Sequence, residues 1–525
     1  MVWVTPAERY YQYFIGEVAV EFLQPMINGL WSMLDPTTLF YCFMGVFLGT
    51  LVGVLPGIGP VGAMSILLPV TLNIPPLSTF VLLAGIYYGS KYGGSTTSIL
   101  VNVPGEAASV VTCLDGYQMA KNGQAGPALG ISAIGSFIAG ILGTLGIAVL
   151  AVPIVSFALK YGPAEYFSMM ILGMTLLVFL SSTSVMRALM MACVGLLIGT
   201  IGLDPIAGVL RFTMGIPELM DGVGLIPLAM GLYGIGEILT NVEQKIRRQI
   251  SLSSKVGRVL PSWEDHKKSF GAILRGTVVG FFTGILPGGG ATIASFASYA
   301  IEKRISRHPE KFGKGAIEGV ASPESSNNAA TQSAFIPMLT LGIPSNAGMA
   351  VLLGALIIHG FTPGPLLLSQ HPDTFWALVA SMFLGNLMLL ILNLPLIGIW
   401  IQVLKIPFRI LIPIIVVMCV VGAYSVNNSV TDIFVMLFFG IVGYLMKKLS
   451  LDAAPLILAF VLGPIMENSF RQALILSSGS IKIFFVRPIS LSMLIIALLL
   501  LVLPPLIPAL RERREKMIQE KEEES

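Results

Sequence analysis

Uninterrupted apolar runs at 127–152, 164–180, 188–201, 223–240, 375–401, 410–422, 431–446 and 489–510 alternate with shorter apolar pieces cut by Gly and Pro. Several runs match the roughly 20 residues that a helix needs to cross the hydrocarbon core of a bilayer. The pattern predicts about a dozen hydrophobic elements, not all of them spanning. The runs are continuous and do not alternate apolar with polar residues, so they predict helices and exclude a β-barrel. The fold class expected is an all-α polytopic membrane protein.

Two of the interrupted pieces share a core. Residues 51–63 read LVGVLPGIGPVGA and residues 280–294 read GFFTGILPGGGATIA. The offset 287 − 56 = 231 places Gly49, Gly53, Leu55, Gly57 and Gly59 on Gly280, Gly284, Leu286, Gly288 and Gly290. A second pair of breaks, VNVPGEAA around Pro104 and LGIPSNAG around Pro344, follows in the same order at 344 − 104 = 240. An internal repeat of broken apolar segments points to a secondary transporter.

The chemistry of the break explains why it is needed. Proline has no N–H and glycine accepts almost any backbone angle, so Leu-Pro-Gly-x-Gly ends one helix and starts another with backbone groups left over. In hydrocarbon such groups are tolerated only where protein, water or a ligand satisfies them. Exposed carbonyls at the tip can coordinate a small cation, and the N-terminus of the following half-helix offers N–H groups to an anion. The plainer alternative, a proline kink with glycines for close helix packing, suits Gly140, Gly143 and Gly146 but not four breaks in repeated order.

Charge then orients the chain. Eight Lys or Arg fall between Lys245 and Arg275, five between Lys303 and Lys314 and five between Arg511 and Lys521, whereas Lys91, Lys121, Lys160, Arg187 and Arg211 are the only ones from residue 10 to 244. The positive-inside rule places the dense clusters in the cytoplasm, and orientation accounts for them without a nucleic-acid partner. The segment 271–302 is flanked by basic clusters on both sides and reads as a re-entrant hairpin entering from the cytoplasm. Its counterpart over about 39–73 is flanked by DPTT and NIPPLST, with no basic residue, and enters from the opposite side, so the halves read as inverted repeats.

The domain reading follows from these marks. Residues 1–38 form an N-terminal extension; 39–240 form a first repeat, with its hairpin, a broken helix over about 77–113 and scaffold helices after it. A basic cytoplasmic linker covers 241–270, and 271–480 form a second repeat with a hairpin at 271–302 and a broken helix over about 329–360. A last transmembrane helix at 481–510 leads into a charged cytoplasmic tail at 511–525.

Composition narrows the class further. Of 525 residues, 55% are hydrophobic and 11% charged, with a mean hydropathy of +0.84, whereas a soluble protein carries about a quarter charged residues. No short apolar core precedes a cleavage site near Glu8, Arg9, Glu17 and Glu21, so no cleavable signal peptide is expected. The scattered Cys42, Cys113, Cys193 and Cys419, and the scattered His266, His308, His359 and His371, suggest neither a disulfide framework, a transition-metal site nor a catalytic pair.

Two polar stretches stand out against the apolar background. YYGSKYGGSTTSILVNVPGEA contains Lys91, Ser95, Thr96, Thr97, Ser98 and Asn102; SPESSNNAATQSAFIPMLTLGIPSNAG contains Ser325, Ser326, Asn327, Asn328, Thr331, Gln332, Thr340, Ser345 and Asn346. Such density of hydroxyls and amides predicts a polar cavity. The substrate-binding residues expected are Gly57, Gly59, Lys91, Ser95, Thr96, Thr97, Asn102, Gly288, Gly289, Gly290, Asn327, Asn328, Ser345 and Asn346. The cation-binding residues expected are Pro56, Gly57, Ser98, Pro287, Ser325, Thr331 and Thr340. Lys91 meets an anionic substrate, snorkels to an interface, or pairs with Glu106 or Asp115, and Glu467 with Arg471, four residues apart on a helix, reads as a structural ion pair.

These same stretches, with LGPIMENSFRQAL and GTLVGVLPGIGPVGAMSILLPVT, closely resemble the large membrane subunit of the tripartite tricarboxylate transporter family, TctA type, over about residues 39–480. The resemblance implies the translocating component of a bacterial uptake system in the inner membrane. It also implies a small four-helix membrane subunit (TctB type) and a periplasmic solute-binding protein (TctC type) as partners, beside membrane lipid and a carboxylate substrate. The driving force implied is a sodium or proton gradient, with no cofactor. Substrates served within the family include citrate, other di- and tricarboxylates, aromatic carboxylates and amino acids. The hairpins and broken helices are similar to those of elevator-type carriers, whose scaffolds often dimerise, which suggests a homodimer of the heteromeric unit.

Other classes fit less well. A channel needs a continuous polar path or charged rings. An enzyme needs a catalytic pair within apolar helices, and Asp204, Asp221 and Asp432 lie outside the repeated breaks. For coupling, carbonyls and hydroxyls suit sodium, whereas an acid such as Glu324 suits a proton.

Overall fold

The computed structural model describes residues 24–55, 59–181, 183–204, 206–243, 259–404 and 408–506, most of them helical. Pro56 and Gly57, both expected to touch ligand, lie outside the described residues, together with most of the N-terminal extension, the core of the basic linker and the charged tail.

Eight described helices are long and apolar enough to cross a membrane: Pro36–Val54, Ala125–Ala158, Pro163–Leu180, Leu225–Glu243, Pro372–Asn393, Ile410–Asn427, Val430–Lys448 and Ala453–Leu476. The protein is a multi-pass, all-α membrane protein. Among the described residues, the only strands are a two-residue ribbon pairing Gly202–Leu203 with Leu210–Arg211. Ala125–Ala158 has 34 residues, about 51 Å of helix at 1.5 Å per residue, and overreaches the bilayer's ~30 Å hydrocarbon core.

At the first Leu-Pro-Gly-x-Gly motif the helix Pro36–Val54 ends and Gly59–Leu67 begins; at the second, Trp263–Ile285 ends and Gly290–Ile305 begins. The first arms start upstream of the apolar runs because polar caps extend them. Asp35 accepts a hydrogen bond from the Thr38 N–H, and Ser262 with Asp265 forms a capping box. The second arm pair is therefore helical from residue 263, inside the stretch expected to be linker.

Each first arm packs lengthwise on a polar helix, Pro76–Val101 or Glu318–Ser333. Glycine makes this approach. A Cβ on Gly45, Gly49 or Gly53 would lie 2.5, 2.6 or 2.1 Å from the carbonyl oxygens of Leu82, Ile86 and Ser90. On Gly276, Gly280 or Gly284 it would lie 2.2, 2.1 or 2.3 Å from those of Ser322, Ser326 and Ala330. The glycines differ by 276 − 45 = 231 and their partners by 322 − 82 = 240, the two offsets of the sequence motifs. Backbones this close gain dispersion contact that lipid cannot match, and any side chain would prise them apart.

Pro163–Leu180, Val185–Gly199, Ala453–Leu476 and Pro488–Leu506 pack mainly on one another. Their apolar clusters, around Met169, Met170 and Leu462 and around Val178, Ala188, Ala192 and Ala459, are separate from the main core. At the edge of this group the expected Glu467–Arg471 pair forms at 2.7 Å, and it belongs to a larger network. Arg211 reaches Asp204 at 2.8 Å and Glu467 at 3.0 Å, and Arg471 reaches Asp204 at 3.0 Å. Desolvation pushes the Asp204 carboxyl up, but N–H groups of Ala207 and Ile206 and the two guanidinium groups outweigh it and hold the carboxyl down to about 2.

Candidate functional site

The two polar helices, Pro76–Val101 and Glu318–Ser333, touch one another. Pro76–Val101 is buried along almost its whole length, so its Lys91, Ser95, Thr96, Thr97 and Ser98 face protein on all sides. It stops at Asn102, whose left-handed backbone (φ 55°) closes the helix before Pro104. The chain then crosses Glu106 and resumes as Val110–Lys121. Gly105 lets this break touch the first hairpin arm, since a Cβ there would lie 2.1 Å from the Gly53 carbonyl oxygen. Thr97 Oγ1 donates in the same place, within 3.3 Å of Gly53 O and 3.4 Å of Val54 O.

The second polar stretch is also helical, from Glu318 to Ser333 and again from Phe335 to Leu341, earlier than the start expected near 329. Its polar composition hides it from a reading based on hydropathy, because every side is buried and so no apolar stripe is needed. The helix ends at Gly342 (φ 73°). Asn346 then caps the next helix, Ala347–Ile358, accepting from Met349 N–H at 3.1 Å while its amide donates to the Tyr87 hydroxyl at 2.9 Å. Ser345 meets the second hairpin tip: its carbonyl accepts from Gly288 N–H at 2.8 Å. Gly289 and Gly290 complete that tip, which leans on Leu176, Leu177 and Leu180. Gly53 thus meets the break at Gly105, and Gly288 meets the break at Ser345.

Polar contacts join the two stretches. Lys91 forms a buried ion pair with Glu106, and the same carboxylate accepts from Asn327 Nδ2 at 3.1 Å. Glu324, fully buried, has Ser95 and Thr112 against its two carboxyl oxygens, with Ser132 beside it. Asn328 Nδ2 donates to Ser136 Oγ at 2.7 Å on Ala125–Ala158. Ser95 and Glu324 are 229 residues apart, so the two polar stretches form one centre. Of the roles the sequence leaves open for Lys91, the structure supplies the Glu106 pairing.

Ser98, Ser325, Thr331 and Thr340 each donate their hydroxyl proton to a backbone carbonyl one turn earlier, at 3.0, 2.7, 2.7 and 2.6 Å. Only oxygen lone pairs remain on them for a cation. Thr96 makes a longer contact of this kind at 3.4 Å. Ser326 Oγ, Asn327 Oδ1, Asn328 Oδ1 and both ends of the Gln332 amide are buried without a hydrogen-bond partner. Polar atoms left so are costly, about 1–3 kcal/mol each, and mark places where a ligand gains by binding. Pro287 lies in the tip, and Gly59 begins its half-helix with φ 67° and open space where a Cβ would be.

From the sequence Glu106 is named only as a candidate partner of Lys91, and Thr112, Tyr87 and Ser136 are not singled out; the structure brings all four to the polar centre. Glu106 carries the clearest sequence signal, an acid beside the first Pro-Gly break. The others look like ordinary helix residues until the halves are brought together.

Comparison with known proteins bears on the same region. The family model described as the tripartite tricarboxylate transporter TctA family matches residues 39–458. An uncharacterized 52.8 kDa protein of the TAR-I ttuC' 3' region of Agrobacterium vitis is 48% identical over 497 residues, covering 94% of this chain and 98% of its own. An uncharacterized protein of the TAR-II ttuC' 3' region of the same organism is 48% identical over 241 residues, covering 46% of this chain and 99% of its own. No solved structure matches the chain.

Proposed function

Since the chain belongs to the tripartite tricarboxylate transporter TctA family, we propose that it is the translocating membrane subunit of a gradient-driven uptake system for di- and tricarboxylates of the citrate kind. The observation that carries this reading is the buried polar centre where the two broken helices meet, with the Pro-Gly tip at 287–290 bonded to the second break. Lys91 is already neutralised by Glu106, so the centre offers little net positive charge. A carboxylate would be held by half-helix N-termini such as that of Ala347–Ile358, by hydroxyl and amide donors, and by a bound co-ion. Free lone pairs on Ser98, Ser325, Thr331 and Thr340 suit sodium, and a buried acid suits a proton.

The equal offsets of the two glycine contacts support two related halves, and the flanking charges support their inversion. The helix group containing Pro163–Leu180 and Ala453–Leu476 presents an apolar face to the second hairpin tip and to Pro344, and this supports a scaffold past which the hairpins and broken helices slide. The reading includes the small TctB-type subunit and a periplasmic TctC-type binding protein as partners, a bacterial inner-membrane location and a dimer of the heteromeric unit.

The test is uptake into proteoliposomes containing the chain and both partners, across citrate, other di- and tricarboxylates, an aromatic carboxylate and an amino acid, with sodium and pH gradients imposed separately. Accumulation of a carboxylate under either gradient is expected. Uptake that requires ATP, or equilibration without accumulation as in a channel, would reject the carrier reading.

A further inference from the structure

We propose that Glu324 is a proton-carrying site, holding a proton while it is buried as it is here and releasing it when the polar centre opens; this rests on the carrier reading and names its coupling ion as a proton.

The argument begins from hydrogen counting. Ser95 Oγ lies 3.0 Å from the Lys91 carbonyl oxygen, which can only accept, and it also contacts Glu324 Oε2. A hydroxyl has one proton to give. If it serves the Lys91 carbonyl, the contact with Glu324 is satisfied only when Oε2 itself carries a proton and donates to Ser95. Thr112 Oγ1 then donates to Oε1, and the chain Glu324–Ser95–Lys91 carbonyl is complete, with a donor and an acceptor at each link. With an ionised Glu324 the Ser95 proton must turn to the carboxylate, and the Lys91 carbonyl loses that hydrogen bond.

The charges around the site agree. Glu324 is fully buried, and an ionised carboxylate there has to be matched by a positive group. On Pro76–Val101 the groups facing it are Ser95, the Tyr92 ring and Lys91, and Lys91 is held by Glu106 of the adjoining break. On Val110–Lys121 they are Thr112 and Asp115, and the Asp115 carboxylate already accepts from Tyr299 and from the N–H groups of Gly313, Gly315 and Ala316. Ala125–Ala158 contributes Ser132 and Ser136, neither charged. On the hairpin arms Arg275 pairs with Glu302. Lys91 and Arg275 are thus each paired with another acid, and the Glu324–Ser95–Lys91 carbonyl chain, complete only with a proton on Oε2, selects a proton over a bound cation as the means of neutralising Glu324.

The step itself is simple. On opening, the Glu324 O–H bond breaks and the proton passes to water on the exposed side, leaving a carboxylate. The Ser95 hydroxyl then swings to it and frees the Lys91 carbonyl, which links the protonation state to the turn that carries the Lys91–Glu106 pair.

Infrared difference spectroscopy of the full-length chain in lipid tests the site directly. A buried carboxylic-acid C=O band is expected at neutral pH, lost in Glu324→Gln, shifted in Glu324→Asp, and indifferent to replacing choline by sodium. A band identical in wild type and Glu324→Gln, or one abolished by sodium, would overturn the proposal. In proteoliposomes with both partners, a one-unit inside-alkaline gradient should raise wild-type carboxylate accumulation about tenfold per coupled proton. Glu324→Gln should keep exchange of the same carboxylate and lose that response. A variant that follows the gradient like wild type overturns the proposal alone; a wild type that moves none of the tested carboxylates defeats the carrier reading and leaves the infrared band to decide whether Glu324 holds a proton.

Discussion

The backbone N–H of Gly288 donates to the carbonyl oxygen of Ser345 over 2.8 Å, joining the tip of the second hairpin to the break in the second polar helix. Both groups are leftovers of helix ends, and each satisfies the other in a place where neither lipid nor a regular helix could. The tip is then seated on Leu176, Leu177 and Leu180, so hairpin, break and neighbouring helix group meet at one point.

Gly288→Ala tests that seat. The residue sits at φ 78°, and an added Cβ would lie 2.7 Å from Leu177 Cα. A left-handed backbone alone costs a side chain about 1–2 kcal/mol, and the overlap adds to it. Gly290→Ala has φ 51° but open space around it. Thermal unfolding in one detergent is expected to show a clearly larger drop for Gly288→Ala; equal drops would mean that the tip is not seated as described.

The glycine contacts along the two polar helices predict matched effects. Gly49→Ala and Gly280→Ala place a Cβ 2.6 and 2.1 Å from a carbonyl oxygen, and both should lower the unfolding midpoint or abolish folded yield. Overpacking of this kind costs about 1–3 kcal/mol or more. Gly398→Ala, with nothing near its Cβ position, should be neutral. Indifference at both Gly49 and Gly280 would refute the close packing.

Removing one partner of the Lys91–Glu106 pair leaves a buried charge alone. Lys91→Gln and Glu106→Gln should each cost about 3–5 kcal/mol, and the double substitution should recover much of it. A double variant no better than either single would show that the pair is not a unit. If Lys91→Gln also transports with unchanged substrate affinity, Lys91 has no part in binding the anion.

Network charges around Asp204 give a pH expectation with a definite sign. Its carboxyl is held down to about 2 from 3.8, so the stability it contributes is complete above the ordinary value and is lost only as pH falls towards 2. Asp204→Asn should therefore lower the unfolding midpoint by the same amount at pH 5 and pH 8. A penalty that shrinks between those two values would place the titration elsewhere.

Sidedness is open to labelling. Met214 and Trp263 are 89% and 83% exposed and lie on either side of the span Leu225–Glu243. With the basic linker cytoplasmic, Met214→Cys should react with an impermeant maleimide from outside and Trp263→Cys only after permeabilisation, both in a Cys193→Ser background. Reaction of both from one side would refute this topology.

Much of this protein is determined by its sequence alone. Hydropathy is a property of single segments, so the membrane class and most spans can be read directly, and Pro and Gly limit their own backbones, so breaks such as those at Pro104 and Pro344 are legible one residue at a time. The helix Glu318–Ser333 escaped that reading because burial on every side by polar neighbours leaves no periodic apolar stripe. Which groups face one another was decided by the tertiary structure. Ser95 meets Glu324 across 229 residues and Arg211 meets Glu467 across 256, pairings that depend on the path of the whole chain. A buried charge must find its partner in space, and no local rule of spacing records where that partner will be.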